Sequence, residues 1–359
     1  MEQDQFFAGL KVVELASVLA GPAVGMFFAE LGAEVIKVEN KTTGGDITRK
    51  WKLPSENPDS PISAYFCSVN WGKKHLMADL RQPEERDQIL QLIAEADVVI
   101  SNFRPSAARA FGMDMDTLHA LYPELICAQL QAFADPEDET PAFDVVLQAE
   151  AGFLYMCGEP GCPPVKMPVA LIDLLAAHQM KEAILLALLK KSRTGKGSIV
   201  RTSLMESALA SLANQATNFL MSGYIPQPMG TQHPNIAPYG DCYLCADQQR
   251  VLLAVGTEKQ FQNFCDAIQL QLVEDPRFAS NPDRVKNRAA LNQAIATRIR
   301  EKNLDAWMDA FHANGVPAAR IRDMQAVCNQ ETTQKMILKE NISGTETRRI
   351  RSIAFTLQD

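Results

Sequence analysis

Asp173 is the residue whose type and setting most suggest chemistry, because it is one carboxylate in the otherwise apolar run KMPVALIDLLAAHQM (166–180). Pro168 precedes it and helix-forming residues follow, so the sequence predicts a helix that begins at Asp173. Asp is favoured as an N-cap, since its oxygen accepts hydrogen bonds from first-turn amides. A carboxylate stripped of water by apolar neighbours is also a nucleophile. The two roles can coexist, because a helix N-terminus keeps a carboxylate ionised.

Two loops carry residues that suit a phosphate-bearing ligand. Lys73 and Lys74 follow Gly72 just before a predicted strand, where they can act as mobile positive charges. Asn102, Phe103 and Arg104 follow the predicted strand DVVI. These three residues suit a ligand contact because ligands of open α/β sheets bind at the carboxyl ends of strands. There an aromatic ring can stack on a base and a guanidinium can pair with phosphate. Ordinary solvated loops are the alternative for both segments.

Two further residues are candidates for a site, and one cysteine pair is not. Asp144 stands before the apolar run VVL and His233 lies in GTQHPN; a helix cap and a polar loop residue are their ordinary alternatives. Cys242 and Cys245 have the spacing of half a zinc motif, but neither a second pair nor a nearby His completes it. We therefore predict no metal site and read these cysteines as strand residues.

The elements that must position these residues alternate between strands and helices. Short apolar runs predict strands at LKVVELA (10–16), EVIKVEN (34–40), HLMADL (75–80), DVVISNF (97–103) and LICAQLQAF (125–133). Helical patterns separate the runs, as in GPAVGMFFAELGA and RQPEERDQILQLIAEA. This alternation predicts a Rossmann-like, doubly wound α/β domain with right-handed crossovers.

A second region has a different pattern. A predicted hairpin at CYLCADQQRVLLAVG is followed by helices at EKQFQNFCDAI, RAALNQAIATRIREK and LDAWMDAFHANG. We therefore predict a large α/β domain over residues 1–224, completed by 331–359, and a smaller α+β domain over 225–330. Residues 205–223 read as one long helix, and RRIRSIAFTLQD reads as an edge strand that returns to the first domain.

Composition excludes several classes of function. The chain has 359 residues and a formal net charge of -8 without a basic stripe, which disfavours nucleic-acid binding. Its apolar runs are too short or too interrupted to span a bilayer, and its eight cysteines are scattered, so we expect a cytoplasmic protein without membrane spans. No G-x-G-x-x-G, P-loop or G-x-S-x-G motif occurs, which disfavours hydride transfer, P-loop nucleotide hydrolysis and serine-hydrolase chemistry.

Several motifs, taken together, resemble those of the family III CoA-transferases, a group that includes formyl-CoA:oxalate and carnitine CoA-transferases and also α-methylacyl-CoA racemases. The resemblance runs in order over residues 9–330. It is carried by LKVVELASVLAGPAVGMFFAELGAEVIKVEN, VNWGKKHLMADL, ISNFRPSAARAFG, PAFDVVLQAEAG, SRTGKGSIVRTSLMESAL, GTQHPNIAPYG and DPRFASNPDRVKNRAAL.

The resemblance implies a function and a set of site residues. The family's catalytic Asp falls on Asp173, which would move CoA from an acyl-CoA to a carboxylic acid through an aspartyl-linked covalent intermediate. Coenzyme A enters as the acyl-CoA substrate. The implied CoA-binding residues are Val18, Ala20, Lys73, Lys74, Asn102, Phe103 and Arg104, and the possible substrate pocket comprises Leu19, Phe143, Asp144 and His233. Leu19 stands where the formyl-CoA enzyme has Gln, so the resemblance leaves the acceptor acid open.

The resemblance also implies an interlocked-ring homodimer, and it leaves two alternative functions. An α-methylacyl-CoA racemase would need a His–Asp pair, but Phe143 occupies the His position and cannot carry a proton. A CoA-ester-binding protein without turnover is the other alternative, and the retained Asp173 argues against it.

Overall fold

The computed structural model describes residues 5–357, which divide into two compact units. The first comprises the described residues up to Phe153, then Lys166–Ala216, then the described residues from Glu331 onward. The second comprises Leu154–Val165 and Thr217–Gln330.

The described strands and helices have the following bounds. The strands are β1 Lys11–Glu14, β2 Glu34–Asn40, β3 Lys74–Ala78, β4 Val98–Ser101, β5 Ile126–Gln131, β6 Ser198–Ser203, β7 Tyr239–Leu244, β8 Arg250–Ala254, β9 Ala318–Arg320, β10 Ile337–Ile342 and β11 Thr345–Ile350. The helices are α1 Ala20–Glu30, α2 Ala64–Cys67, α3 Pro83–Ala94, α4 Pro105–Ala110, α5 Met115–Leu121, α6 Asp144–Glu150, α7 Phe153–Met156, α8 Leu171–Thr194, α9 Leu204–Ala210, α10 Ala213–Ser222, α11 Glu258–Ile268, α12 Asn281–Lys286, α13 Arg288–Ile299, α14 Leu304–Ala313, α15 Met324–Cys328 and α16 Glu331–Lys335.

The first unit is built on a parallel sheet of six strands in the order β3-β2-β1-β4-β5-β6. The predicted α/β class is therefore confirmed. Strand order reverses between β1 and β4, and in sheets of this order the crevice beyond the carboxyl ends of those two strands is the usual ligand site.

Helices cover both faces of this sheet because its central strands are apolar on both sides. On one face, α1 and α8 pack in a core that includes Val24, Ala176 and Met180. On the other face, α3 and α5 contribute Ile93 and Leu118 to a second core. The start of α1 and the start of α8 are thereby fixed on one side of the sheet.

Helix α1 is buried along its whole length, and one of its glycines makes room for a charge. A Cβ atom on Gly25 would overlap the carboxylate of Glu14, which is fully buried at the end of β1. A side chain at position 25 would therefore displace a buried ion.

The second unit has an antiparallel sheet in the order β7-β8-β9. Its core is formed mainly by large apolar side chains of α11, α13 and α14, including Phe261, Phe264, Leu291, Trp307 and Phe311. The amphipathic pattern of these helices is visible in the sequence, and α11 has the bounds that the pattern predicts.

Two local predictions were wrong. The expected helix over 205–223 is two helices, α9 and α10, separated at Ser211 and Leu212. The expected edge strand in RRIRSIAFTLQD is instead part of an antiparallel hairpin, in which β11 pairs with β10 and not with the six-stranded sheet. Alternation of apolar residues predicts an extended chain but does not identify its partner.

Candidate active site

A cavity of about 400 Å³ lies in the first unit, at the carboxyl ends of β1, β4, β5 and β6. It is bordered by eight residues that the sequence singled out: Val18, Leu19, Ala20, Asn102, Phe103, Arg104, Phe143 and Asp173. Their convergence follows from the topology, since the loops after adjacent parallel strands emerge at the same edge of the sheet.

Asp173 lies in the first turn of α8 and is not its N-cap. Ala170 occupies the N-cap position, and its side chain makes no capping bond. The carboxylate of Asp144 takes that role from another helix, since its Oδ2 accepts hydrogen bonds from the amides of Ile172 at 2.6 Å and Asp173 at 3.4 Å. The prediction that Asp173 caps the helix was therefore wrong, and its carboxylate is left facing the cavity.

The electrostatic setting of Asp173 also differs from the expectation. Its residue is only 8% exposed, and burial raises the pKa of the carboxyl to about 7, with the neighbouring Asp144 carboxylate as a second cause. A helix N-terminus alone would favour the ionised form. Loss of water and a like charge outweigh that effect, so Asp173 titrates near neutral pH instead of staying ionised throughout.

The loop after β1 is held by side chains from two other segments. Asn102 accepts a hydrogen bond from the amide of Ser17 at 3.1 Å and donates one to its carbonyl at 3.0 Å. The buried carboxylate of Asp46 accepts from the amide of Val18 at 3.1 Å. The sequence had suggested Asn102 as a ligand contact, and it had not identified Asp46, which carries no recognisable motif.

Lys73 does not reach the cavity. Its ammonium is buried and donates to Glu14 at 2.8–3.0 Å, to the carbonyl of Pro22 at 2.8 Å and to Asn70 at 3.0 Å. Lys74 is exposed, pairs with Glu34 and also lies outside the cavity lining. The Gly-Lys-Lys pattern could not reveal this, because Lys73 lies just before β3 and its burial depends on Glu14 and Pro22, which are distant in sequence.

Three arginines border the cavity, and they differ in their partners. Arg109 forms hydrogen bonds with both carboxylate oxygens of Glu137, and Arg201 pairs with Asp116 at 2.8 Å. Within residues 5–357, no ion pair or hydrogen bond engages the guanidinium of Arg104. The sequence had suggested Arg104 as a phosphate contact but had not suggested Arg201, which only the pairing of β6 with β5 brings to this edge.

His233 belongs to the second unit. Its Nδ1 lies 3.1 Å from the amide of Asn235, its ring meets that of Tyr239 edge to face, and its carbonyl accepts from Arg288 at 2.6 Å. Burial lowers the pKa of His233, and the positive charge of Arg288 lowers it further. The imidazole is therefore neutral at physiological pH.

No group of three or more His, Cys, Asp or Glu side chains in the described part of the chain could hold a metal ion. Among the helices within residues 5–357, none has the length and hydropathy that crossing a membrane requires.

Comparison with known proteins gives consistent matches over nearly the whole chain. The model of CoA-transferase family III matches residues 7–358. The succinate–glutarate CoA-transferase of Agrobacterium fabrum is 34% identical over 345 residues, which cover 94% of this chain and 86% of that protein. The acetyl-CoA:oxalate CoA-transferase of Acetobacter aceti is 31% identical over 339 residues, covering 93% and 85%. A crystal structure of a CAIB/BAIF family protein from Brucella suis superposes with a TM-score of 0.81 at 36% identity, covering 97% of this chain and 92% of that one.

Proposed function

From the premise that the chain belongs to CoA-transferase family III, and so is a CoA-transferase that acts on acyl-CoA, we propose that Asp173 carries the transferred group. The observation that supports this most directly is the position of Asp173: a nearly buried carboxylate that faces a cavity at the switch point of a doubly wound sheet. Among residues 5–357, no Lys, Arg or His side chain forms an ion pair or hydrogen bond with the Asp173 carboxylate. A buried carboxylate without a positive partner destabilises the fold, so its presence is better explained by a role as a nucleophile.

The proposed reaction divides one difficult exchange into four reversible steps. An Asp173 oxygen attacks the thioester carbonyl carbon, the carbon–sulfur bond breaks, and CoA leaves as the thiolate, which gives a mixed anhydride. The thiolate attacks the Asp173 carbonyl and releases the donor acid, leaving an aspartyl-CoA thioester. The acceptor carboxylate attacks that thioester, the carbon–sulfur bond breaks, and CoA leaves as the thiolate, which gives a second anhydride. The thiolate then attacks the acceptor's carbonyl, which gives the new acyl-CoA and restores Asp173.

The raised pKa of Asp173 fits this role. A carboxyl with a pKa of about 7 is ionised for half of the molecules at neutral pH and is more basic than an ordinary aspartate. Greater basicity makes the carboxylate a better nucleophile towards a thioester. Asp144 contributes by holding the start of α8 through the amides of Ile172 and Asp173.

The loop after β1 supplies hydrogen-bond donors for the tetrahedral intermediates. The first amides of a helix have no acceptor within the helix, and Leu19 and Ala20 at the start of α1 border the cavity. We propose that these amides stabilise the oxyanions that form at the attacked carbonyl, an effect that is commonly the largest single contribution to catalysis.

Dicarboxylic acids are the proposed class of acyl donor or acceptor. The printed names of the two enzymes compared above include succinate, glutarate and oxalate, each with two carboxylates. Arg104 in the cavity lining supports this class, since it has no carboxylate partner among the described residues. Arg104 also suits a phosphate of CoA, together with Asn102 and Phe103. Replacement of Arg104 by Met separates these roles: a raised KM for the acid alone assigns it to the acid, and a raised KM for every acyl-CoA assigns it to CoA.

An interlocked homodimer stays our proposal for the assembly. It is supported by large apolar side chains on the surface of the single chain, including Leu186 and Leu189 of α8 and Leu220 and Met221 of α10, the last of these 82% exposed. Large apolar side chains of this kind are found at contact surfaces when they cluster. The cytoplasm stays the proposed location, supported by the scattered spacing of the eight cysteines, which is not that of a dense disulfide framework.

A trapping experiment tests the proposed mechanism. The protein is incubated with succinyl-CoA and treated with hydroxylamine or borohydride, and the peptide that contains Asp173 is examined by mass spectrometry. We expect modification at Asp173, and none in Asp173→Asn. Absence of an adduct together with exchange of the α-proton into heavy water would instead indicate a racemase. Binding of CoA with neither result would indicate a protein without turnover.

A further inference from the structure

The backbone of Val18 is in an unfavourable conformation. Its φ is +73°, in the left-handed region, and a β-branched side chain there is a genuine outlier. Such a conformation is energetically unfavourable and persists only where its surroundings fix it. Val18 directly precedes Leu19 and Ala20, whose amides we propose as donors to the oxyanion. The strain therefore lies directly beside the proposed oxyanion donors.

The carboxylate of Asp46 accepts hydrogen bonds from the backbone of this strained residue. Its Oδ2 accepts from the amide of Val18 at 3.1 Å, and its Oδ1 lies 3.4 Å from the same nitrogen. Leu19, the N-cap residue of α1, makes no side-chain capping hydrogen bond. If that acceptor were lost, the amide of Val18 would have no described partner, and rotation to a relaxed φ would become favourable.

Asp46 is itself held rigidly. Its residue is 4% exposed, and its Oδ1 accepts from the amide of Thr48 at 3.0 Å and from the hydroxyl of Thr48 at 2.8 Å. Its Oδ2 pairs with the ammonium of Lys37 at 3.0 Å. Lys37 is also buried and donates to the carbonyl of Ala16 at 2.7 Å, just before the strained loop. Asp46 and Lys37 thus bind the backbone of this loop at two residues, Val18 and Ala16.

We infer that Asp46 is a positioning residue for catalysis, which holds Val18 in its left-handed conformation and so directs the amides of Leu19 and Ala20 at the acyl group on Asp173. This inference rests on the proposed function. Asp46 does not border the cavity and touches no reacting atom. Its effect is transmitted through one backbone amide.

The first test compares Asp46→Asn with a matched control. Asn keeps an oxygen that can accept from Thr48. Its NH2 group takes the place of Oδ2, which accepts from the amide of Val18 and pairs with Lys37, so the hydrogen bond to Val18 is weakened. We expect kcat to fall about 100-fold, because loss of an oxyanion donor costs about that much. KM for the acyl-CoA should change less than about threefold, since the oxyanion is absent from the bound ground state.

The control is Glu30→Gln at the other end of α1. Glu30 is also a buried carboxylate, and it accepts from the amides of Ser352 and Ile353, far from the loop in sequence. We expect it to lower thermal stability and leave kcat unchanged. An equal loss of kcat in Glu30→Gln would mean that any damage to buried charge around α1 has this effect, and would overturn the inference.

Rescue distinguishes positioning from simple destabilisation. Glycine adopts a positive φ without strain, so Val18→Gly in the Asp46→Asn background no longer needs the carboxylate. We expect the double variant to recover at least tenfold in kcat over Asp46→Asn, without regaining its thermal stability. Failure of Val18→Gly to raise kcat would contradict the inference. If Asp46→Asn does not fold, Thr48→Val removes one hydrogen bond to Asp46 without a charge change, and the same rescue applies.

A crystal structure of Asp46→Asn supplies a readout that does not depend on activity. We expect φ of Val18 to become negative and the amides of Leu19 and Ala20 to turn away from the cavity. A retained left-handed Val18 would overturn the inference even if the wild-type protein gave no Asp173 adduct. The proposed function is contradicted only by absence of the Asp173 adduct in the trapping experiment, so the two failures are distinguishable.

Discussion

Two regions of the first unit bury carboxylates to a similar extent and treat them in opposite ways. Beneath the loop after β1, Glu14 and Asp46 alternate with the ammonium groups of Lys37 and Lys73 at 2.8–3.0 Å. At the start of α8, Asp173 is also nearly buried, and its close charged neighbour is another carboxylate, that of Asp144. In the first region burial of charge is compensated, and in the second it is not.

The difference indicates how one domain separates support from chemistry. Compensated ions can be removed from water because each opposite charge replaces lost solvation, and they then fix the backbone around them. An uncompensated carboxylate keeps the cost of its desolvation as a raised pKa. When the carboxylate bonds to an acyl group it loses its charge, and the unfavourable desolvation energy of that charge is relieved. Perturbed groups of this kind concentrate at functional sites.

The largest expected effect comes from removing the uncompensated carboxylate. Asp173→Asn should lower kcat by about 10⁴-fold or more, since the nucleophile is lost. Steady-state transfer of CoA between two acids measures it, and Asp305→Asn, a change to an exposed carboxylate of the second unit, serves as the control. Activity within tenfold of the wild type would remove Asp173 from the mechanism and break the contrast.

Removing a compensated carboxylate should instead damage the fold. Glu14→Gln leaves the buried ammonium groups of Lys37 and Lys73 short of one negative charge, which should cost about 3–5 kcal/mol in the free energy of unfolding. Urea denaturation measures this loss. The same change at Glu95, which pairs with Lys11 on the surface, should have little effect. A small loss in Glu14→Gln would show that the cluster is not a structural support.

Asp173 should destabilise the protein as pH rises. Its folded pKa of about 7 exceeds the ordinary value of 3.8, so between these values the folded state binds the proton more tightly than the unfolded state. The resulting stability is complete below about pH 4 and is lost as pH rises through 7. Asp173→Asn does not titrate, so it should become more stable than the wild type at pH 8, by at most about 4 kcal/mol. Unfolding free energies of both proteins at pH 5 and pH 8 test the sign.

The smallest expected effect concerns the pH dependence of the reaction. The nucleophile must be ionised, so kcat/KM should rise with pH and level off above about 7. Asp144→Asn keeps an oxygen that can cap α8 but removes the neighbouring charge, so the midpoint should move to lower pH. A profile that does not shift in this variant would leave burial as the whole cause. A profile that is flat between pH 5 and pH 9 would contradict the raised pKa of Asp173.

The sequence predicted much of the fold because hydrophobic periodicity reports local structure directly. The strand Glu34–Asn40 and the helix Glu258–Ile268 have the bounds that their patterns predict. The break between α9 and α10 and the pairing of β10 with β11 were not predicted. Both depend on contacts with distant residues, which local pattern does not contain.

By itself the sequence determined the alternation of strands and helices, and hence an α/β domain with its loops gathered at one sheet edge. It also determined that a lone carboxylate would lie near the start of a long helix. Only the tertiary structure decided which ions are compensated. It placed Lys73 against Glu14, Asp46 against Val18 and Asp144 at the start of α8. The physical reason is that desolvation and pairing of a charge depend on its neighbours in space, which lie up to tens of residues away in the chain.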